Sequence, residues 1–222
     1  MKKRILAVCC MLTMVGALVA GCGTTTDDTT NGTKKTKEET TKAVTLKRGT
    51  TEDREYKNSG FGVSFSLPEN AEFCSDEQVI NMLGADTDIL DENGVYDADT
   101  MLDTMDGILY DCVVLLSDGQ SNVLTAYEDL EKSGNGAKTE KEYAEKLVAD
   151  MEDMEAMGYK TDGVTSETIN GTEYTTVKCD VKGVYQKYYM KKDGKYMILF
   201  MSTFTSEMEQ EEAEFMQGVT CK

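Results

Sequence analysis

The 222-residue sequence carries 23 Lys and Arg against 41 Asp and Glu, a formal net charge of −18, and has no histidine. The absent imidazole excludes a Ser-His-Asp triad, a histidine general base and a His-ligated zinc. An export segment and a polar stretch, once set aside, leave about 168 residues, enough for one core without a second domain.

Lys2, Lys3 and Arg4 precede an apolar run over residues 5–19, too short to cross a bilayer as a helix and readable as a signal peptide. The run closes on Leu18-Val19-Ala20-Gly21-Cys22, which resembles the lipobox of bacterial lipoproteins. The resemblance implies removal of residues 1–21 by cleavage between Gly21 and Cys22, and a diacylglyceryl thioether on Cys22. The lipid would hold the protein at the extracytoplasmic face of the cell membrane, since two acyl chains suffice for stable anchoring. Over residues 22–54 the composition turns polar, with 12 Thr between positions 24 and 51 and no aromatic residue before Tyr56. Such a stretch buries too little apolar surface to offset its ordering entropy and is expected to be a flexible tether spanning roughly 30 Å.

Residues 55–222 contain every aromatic side chain, 11 Tyr and 6 Phe, and are expected to be the folded domain. Phe61, Val63, Phe65 and Leu67 alternate with small residues up to Pro68, the period of a half-buried strand. Ser75 and Gln78 form a capping box ahead of Val79, Ile80, Met82 and Leu83, and Met101, Leu102 and Met105 suggest a second short helix. Residues 108–117 and 122–128 flank an Asp118-Gly119 turn and are expected to pair as a hairpin. Thr139 and Glu142 box a longer helix in which Tyr143, Leu147, Val148, Met151 and Met154 recur at helical spacing before Gly158. Strands are then expected over 159–169, 172–181, 184–191 and 195–204, joined by Asn170-Gly171, Lys182-Gly183 and Asp193-Gly194 as an antiparallel meander. Residues 196–201 are apolar without alternation, as in a strand covered on both faces. A terminal helix is expected from Ser206, boxed by Glu209, with Met208, Phe215, Met216 and Val219 inward. The fold class is α+β, an antiparallel sheet of about six to seven strands with helices on both faces.

This order, a strand ending in Leu67-Pro68-Glu69, a helix, a long loop, a hairpin, the Tyr143 helix, a meander and a terminal helix, resembles PsbP-like domains, the fold of an extrinsic photosystem II subunit. The resemblance implies a binding or accessory module rather than an enzyme and carries no functional residue across.

Residues 55–222 hold 35 acidic and 13 basic residues, none of them arginine, so a phosphate cannot be clamped bidentately and nucleic acid is not an expected partner. Between residues 58 and 131 there are 17 acidic residues and no basic one. Within that stretch Asp86, Asp88 and Asp91 are the candidate ligands for a divalent cation, which gives the alternative reading of a cation-binding surface lipoprotein using the 86–106 loop. Their spacing misses the calcium-loop template, because Leu90 stands at a ligand position; a solvated acidic loop that keeps the domain soluble is the better account of them. Tyr185, Lys187 and Tyr189, with Lys191, fall on one face of a strand and are the candidate surface for a glycan or an envelope protein. A solvent-facing strand whose lysines deter edge pairing explains the same pattern. Cys74, Cys112, Cys179 and Cys221 allow three disulfide pairings or buried thiols. No cofactor motif, phosphate loop or nucleophile elbow occurs, and no catalytic residue is assigned.

Overall fold

The computed structural model describes residues 46–153 and 158–222. The signal peptide, Gly21, Cys22 and the tether up to residue 45 lie outside the described residues, as do Met154 and Glu155. Strands β1 (Thr50–Glu52), β2 (Glu55–Asn58) and β3 (Val63–Ser66) form a small antiparallel sheet in that order. The remaining strands are β4 (Glu72–Phe73), β5 (Ile108–Leu115), β6 (Asn122–Asp129), β7 (Tyr159–Ile169), β8 (Thr172–Val181), β9 (Val184–Asp193) and β10 (Tyr196–Thr205). They build a seven-stranded antiparallel sheet in the order β4-β5-β6-β10-β9-β8-β7. Among the described residues there are four α-helices: α1 (Asp76–Leu83), α2 (Ala98–Thr104), α3 (Glu140–Glu152) and α4 (Glu209–Gln217). None is long and apolar enough to cross a membrane.

The turn chemistry fixes the meander. Asn170 and Gly171 take φ of 47° and 80°, and Lys182 and Gly183 take 57° and 90°, the left-handed pair that a two-residue hairpin needs. β10 lies between β6 and β9 and is buried from Tyr196 through Ser202, which is why its sequence does not alternate. Side-chain parity along β10 separates the two covering layers. Met197 pairs with Glu128, whose carboxylate accepts a 2.6 Å bond from Tyr143 of α3. Ser202, five residues on and so on the opposite face, donates to Glu212 of α4 at 2.7 Å. The small sheet shares the α4 face: Phe61 stacks on Tyr127 at 4.4 Å and Phe65 meets Phe215 edge-on at 5.2 Å. The α+β sandwich with helices on both faces is thus the observed architecture, but the strand ending before Pro68 belongs to this second sheet rather than to the main one.

Two helix starts differ in detail. Ser75 and Gln78 make the reciprocal box, whereas Glu142 reaches past Thr139 to accept from Lys138 N at 2.8 Å. The box at Ser206 does not form. β10 runs through Thr205, a turn follows in which Met208 N donates to Thr205 O, and Glu209 pairs instead with Lys178 at 2.5 Å. Helix α4 therefore starts after Met208 without a side-chain cap.

The folded body also begins earlier than residue 55. Leu46 is buried, and residues 46–49 lie as a strap against β5 and α1, held by the contacts described next. Arg48 and Arg54 therefore belong to the domain, which corrects the reading that it lacks arginine. Arg54 is exposed, but its Nη2 donates to the carbonyls of Pro68, Glu69 and Ala71.

Candidate functional site

The most organised polar constellation surrounds Arg48. β5 carries a bulge between Tyr110 and Cys112, and a bulge re-aims the side chain of its extra residue. Here it directs Asp111, in an otherwise apolar strand, toward the small sheet. The Asp111 side chain is 1% exposed, and its Oδ2 accepts from Tyr56 Oη at 2.6 Å, Gly49 N at 2.7 Å and Asn58 Nδ2 at 3.3 Å. Tyr56 Oη is also 2.9 Å from Tyr127 Oη. Burial, together with Tyr127 and Asp111, pushes the Tyr56 phenol far up, so it stays a donor. A buried carboxylate needs such partners, because an unpaired one is strongly destabilising.

Arg48 completes the set. Its Nη1 and Nη2 grip Asp76 at 2.5 and 2.7 Å, its other Nη hydrogens reach Tyr96 O at 2.9 Å and Asp111 O at 3.3 Å, and its Nε faces Asp111 Oδ1 at 3.4 Å. The guanidinium lies 4.0 Å from the centre of the Tyr96 ring. All five donors of the fork therefore have an acceptor. Burial works against the charge, but the Asp76 hydrogen bonds, Tyr96 and the two carboxylates outweigh it and hold Arg48 above its ordinary pKa. The pocket walls are themselves tied down, with Tyr96 N donating to Asp76 Oδ2 at 3.1 Å and Tyr96 Oη to Tyr110 O at 2.5 Å.

The Tyr/Lys face lies elsewhere and is not a free surface. Tyr185, Lys187 and Tyr189 do share one face of β9, but it is the face that α4 covers. Tyr189 is 1% exposed and donates to Glu212 at 2.8 Å. Lys187 pairs with Glu167 at 2.7 Å, and half-buried Tyr185 tilts against Phe204 beneath Lys178. Period-2 alternation separates two faces without saying which is covered, and Gln186, Tyr188 and Met190 are buried on the other.

The acidic loop turns its carboxylates onto its own backbone. Asp86 caps a 3-10 turn at Thr87–Ile89 by accepting from Asp88 N at 3.1 Å, and Asp91 accepts from Asn93 N at 2.8 Å and Val95 N at 3.0 Å. Those backbone donors lower the Asp91 pKa. Among the described residues no three Asp, Glu or Cys side chains converge as a metal site would require. An open depression of about 380 Å³ lies between Pro68–Asn70, Ser117 and α4, lined by Glu69, Glu207, Glu211 and Glu214. Glu211 accepts from both the amide and the hydroxyl of Ser117. All four cysteines of the described residues are free thiols.

Among solved structures, the chain is similar to the cyanobacterial PsbP protein CyanoP of Synechocystis sp. PCC 6803. The TM-score is 0.43 at 10% identity, over 81% of this chain and 95% of that one. A protein of unknown function from Pseudomonas aeruginosa, described as a putative regulator, aligns with a TM-score of 0.33 at 13% identity over 46% of this chain and 74% of that one. No protein-family model and no curated protein matches. Both likenesses are too distant to carry a residue, a ligand or a function to this chain, and the α+β sandwich rests on its own strand order.

Proposed function

We propose that the chain is a lipid-anchored, extracytoplasmic binding or accessory module rather than an enzyme, and that it meets a protein or glycan of the cell envelope across a polar tether. The observation that carries the reading is the sequence around Cys22: a basic start, a short apolar run and Ala20-Gly21 ahead of the cysteine. A Thr-rich stretch follows, and the folded body takes over at Leu46. Its acidity supports a partner other than nucleic acid or a bare anionic lipid surface. Both arginines of the described body are engaged internally, which supports the same conclusion. Fatty-acid labelling and membrane fractionation of wild type and Cys22→Ala test the anchor: loss of label and release from the membrane are expected, and a variant still labelled and membrane-bound overturns it. Cross-linking on intact cells tests the module, with capture of a specific envelope component as the supporting result.

A further inference from the structure

We propose that Asp76, Tyr96 and Asp111 form an arginine-recognition pocket that Arg48 fills in cis, and that an arginine in an extended segment of a partner protein takes the same place in trans. Pinning a strap needs one ion pair. Here the guanidinium meets a bidentate carboxylate, a second carboxylate, two carbonyls and an aromatic face, with all five N–H groups matched. That combination reads a planar fork and discriminates against lysine, whose ammonium cannot use it.

The walls stand without the strap. Asp76 is fixed by Tyr96 N, Tyr96 by Tyr110 O, and Asp111 by Tyr56 and Asn58, so the pocket is organised before it is filled. Besides Arg48, the strap is held by Gly49 N on Asp111, by Asn58 Nδ2 on the Lys47 carbonyl at 3.0 Å and by the pairing of β1 with β2, but it buries few side chains. Leu46 is its one buried residue, Lys47 is exposed, and the three residues of β1 that follow are all exposed. The position after the arginine is restricted too, because a Cβ at Gly49 would stand 2.5 Å from the Tyr56 ring. The occupant is therefore an apolar residue, a spacer, arginine and glycine, the pattern of Leu46 to Gly49. A site occupied in cis binds in trans with an affinity reduced by the fraction of molecules in which it is vacant.

The inference extends the binding-module reading and rests on it for the existence of a partner; the pocket itself is tested on purified protein without a membrane. A fluorescent peptide with the sequence of residues 44–51 is titrated into full-length wild type and Arg48→Ala, each checked for a native circular-dichroism spectrum. Saturable binding to Arg48→Ala is expected, at least about tenfold tighter than to wild type, and it should disappear on adding Asp76→Asn or on replacing the peptide arginine with lysine. Should Arg48→Ala not fold, Arg48→Lys, which keeps one charge in the pocket, is expected to give the same order. No saturable binding to a folded variant overturns the pocket, and so does equal binding of the lysine peptide, which would mean attraction to an acidic protein only. Failure here leaves the anchored-module reading intact, and failure of the Cys22 labelling leaves the pocket intact.

Discussion

Replacing Asp111 with alanine removes the acceptor on which the strap, the small sheet and the main sheet converge. Gly49 N, Tyr56 Oη and Asn58 Nδ2 lose a charged partner, and Arg48 Nε loses its carboxylate. Breaking a buried ion pair costs about 3–5 kcal/mol when the remaining charge is orphaned. Arg48 keeps its bidentate grip on Asp76, so the lower end applies, about 3 kcal/mol. For a body of this size that is a fall of roughly 6–12 °C in melting temperature. Asp111→Asn retains one acceptor but turns an amide donor toward donors, and should lie between wild type and Asp111→Ala. Urea and thermal unfolding followed by circular dichroism measure both variants, with Arg48→Ala and the double variant completing a cycle. A loss below about 1 kcal/mol for Asp111→Ala would refute the convergence on this carboxylate.

Glu212 should make stability depend on pH. Burial raises its pKa, and the hydroxyls of Ser202 and Tyr189 and the charge of Lys187 only partly offset this. The folded protein then binds this proton more tightly than the unfolded chain, so the stabilisation is complete below the ordinary carboxylate pKa and is lost as pH rises through the folded value. Glu212→Gln is expected to gain stability relative to wild type between about pH 4 and pH 7; a difference flat across that window contradicts the reading. The Cys74 thiol is pushed up to about 12 by burial and by Glu72, and Cys112, Cys179 and Cys221 are buried. All four should resist a thiol reagent at neutral pH until the protein unfolds, and fast labelling of Cys112, Cys179 or Cys221 in the native state would contradict their burial. With Asp86 and Asp91 engaged by backbone amides, millimolar calcium is expected to leave the melting temperature unchanged. A rise of roughly 3 °C or more, lost on replacing Asp86 and Asp91 with asparagine, would instead place a cation in the 86–106 loop.

The hairpins, the doubly covered strand and the Ser75 box were legible because each depends on a local signal: turn glycines, a run without alternation, a reciprocal side-chain spacing. The third meander turn falls one residue later than expected, at Gly194-Lys195, because Asp193 still pairs with Tyr196. What escaped is nonlocal. β1 and the strap are polar and continue the composition of the Thr-rich segment, so only their contacts reveal that they belong to the body. One sign was present in Asp111, a lone acid within residues 108–116, since a charge in an apolar strand calls for a cation elsewhere. The nearest arginines upstream are Arg48 and Arg54. The Tyr185, Lys187 and Tyr189 face had the right parity and the wrong exposure, because coverage by α4 depends on a helix that follows in the chain.

The bridge between Ser64 and Thr220, with amide-to-carbonyl distances of 3.0 and 2.8 Å, has a consequence for the order of assembly. Thr220 adds to the outer edge of β3, and Thr172 Oγ1 holds the carbonyl of Cys221 at 2.9 Å. The small sheet thus has its first strands near residue 50 and its last pairing at residue 220. Contacts of such long sequence separation form only after the intervening chain is free to close on itself. On the export route proposed above, a chain still emerging from a translocation channel cannot complete the small sheet's outer edge until residue 220 is free.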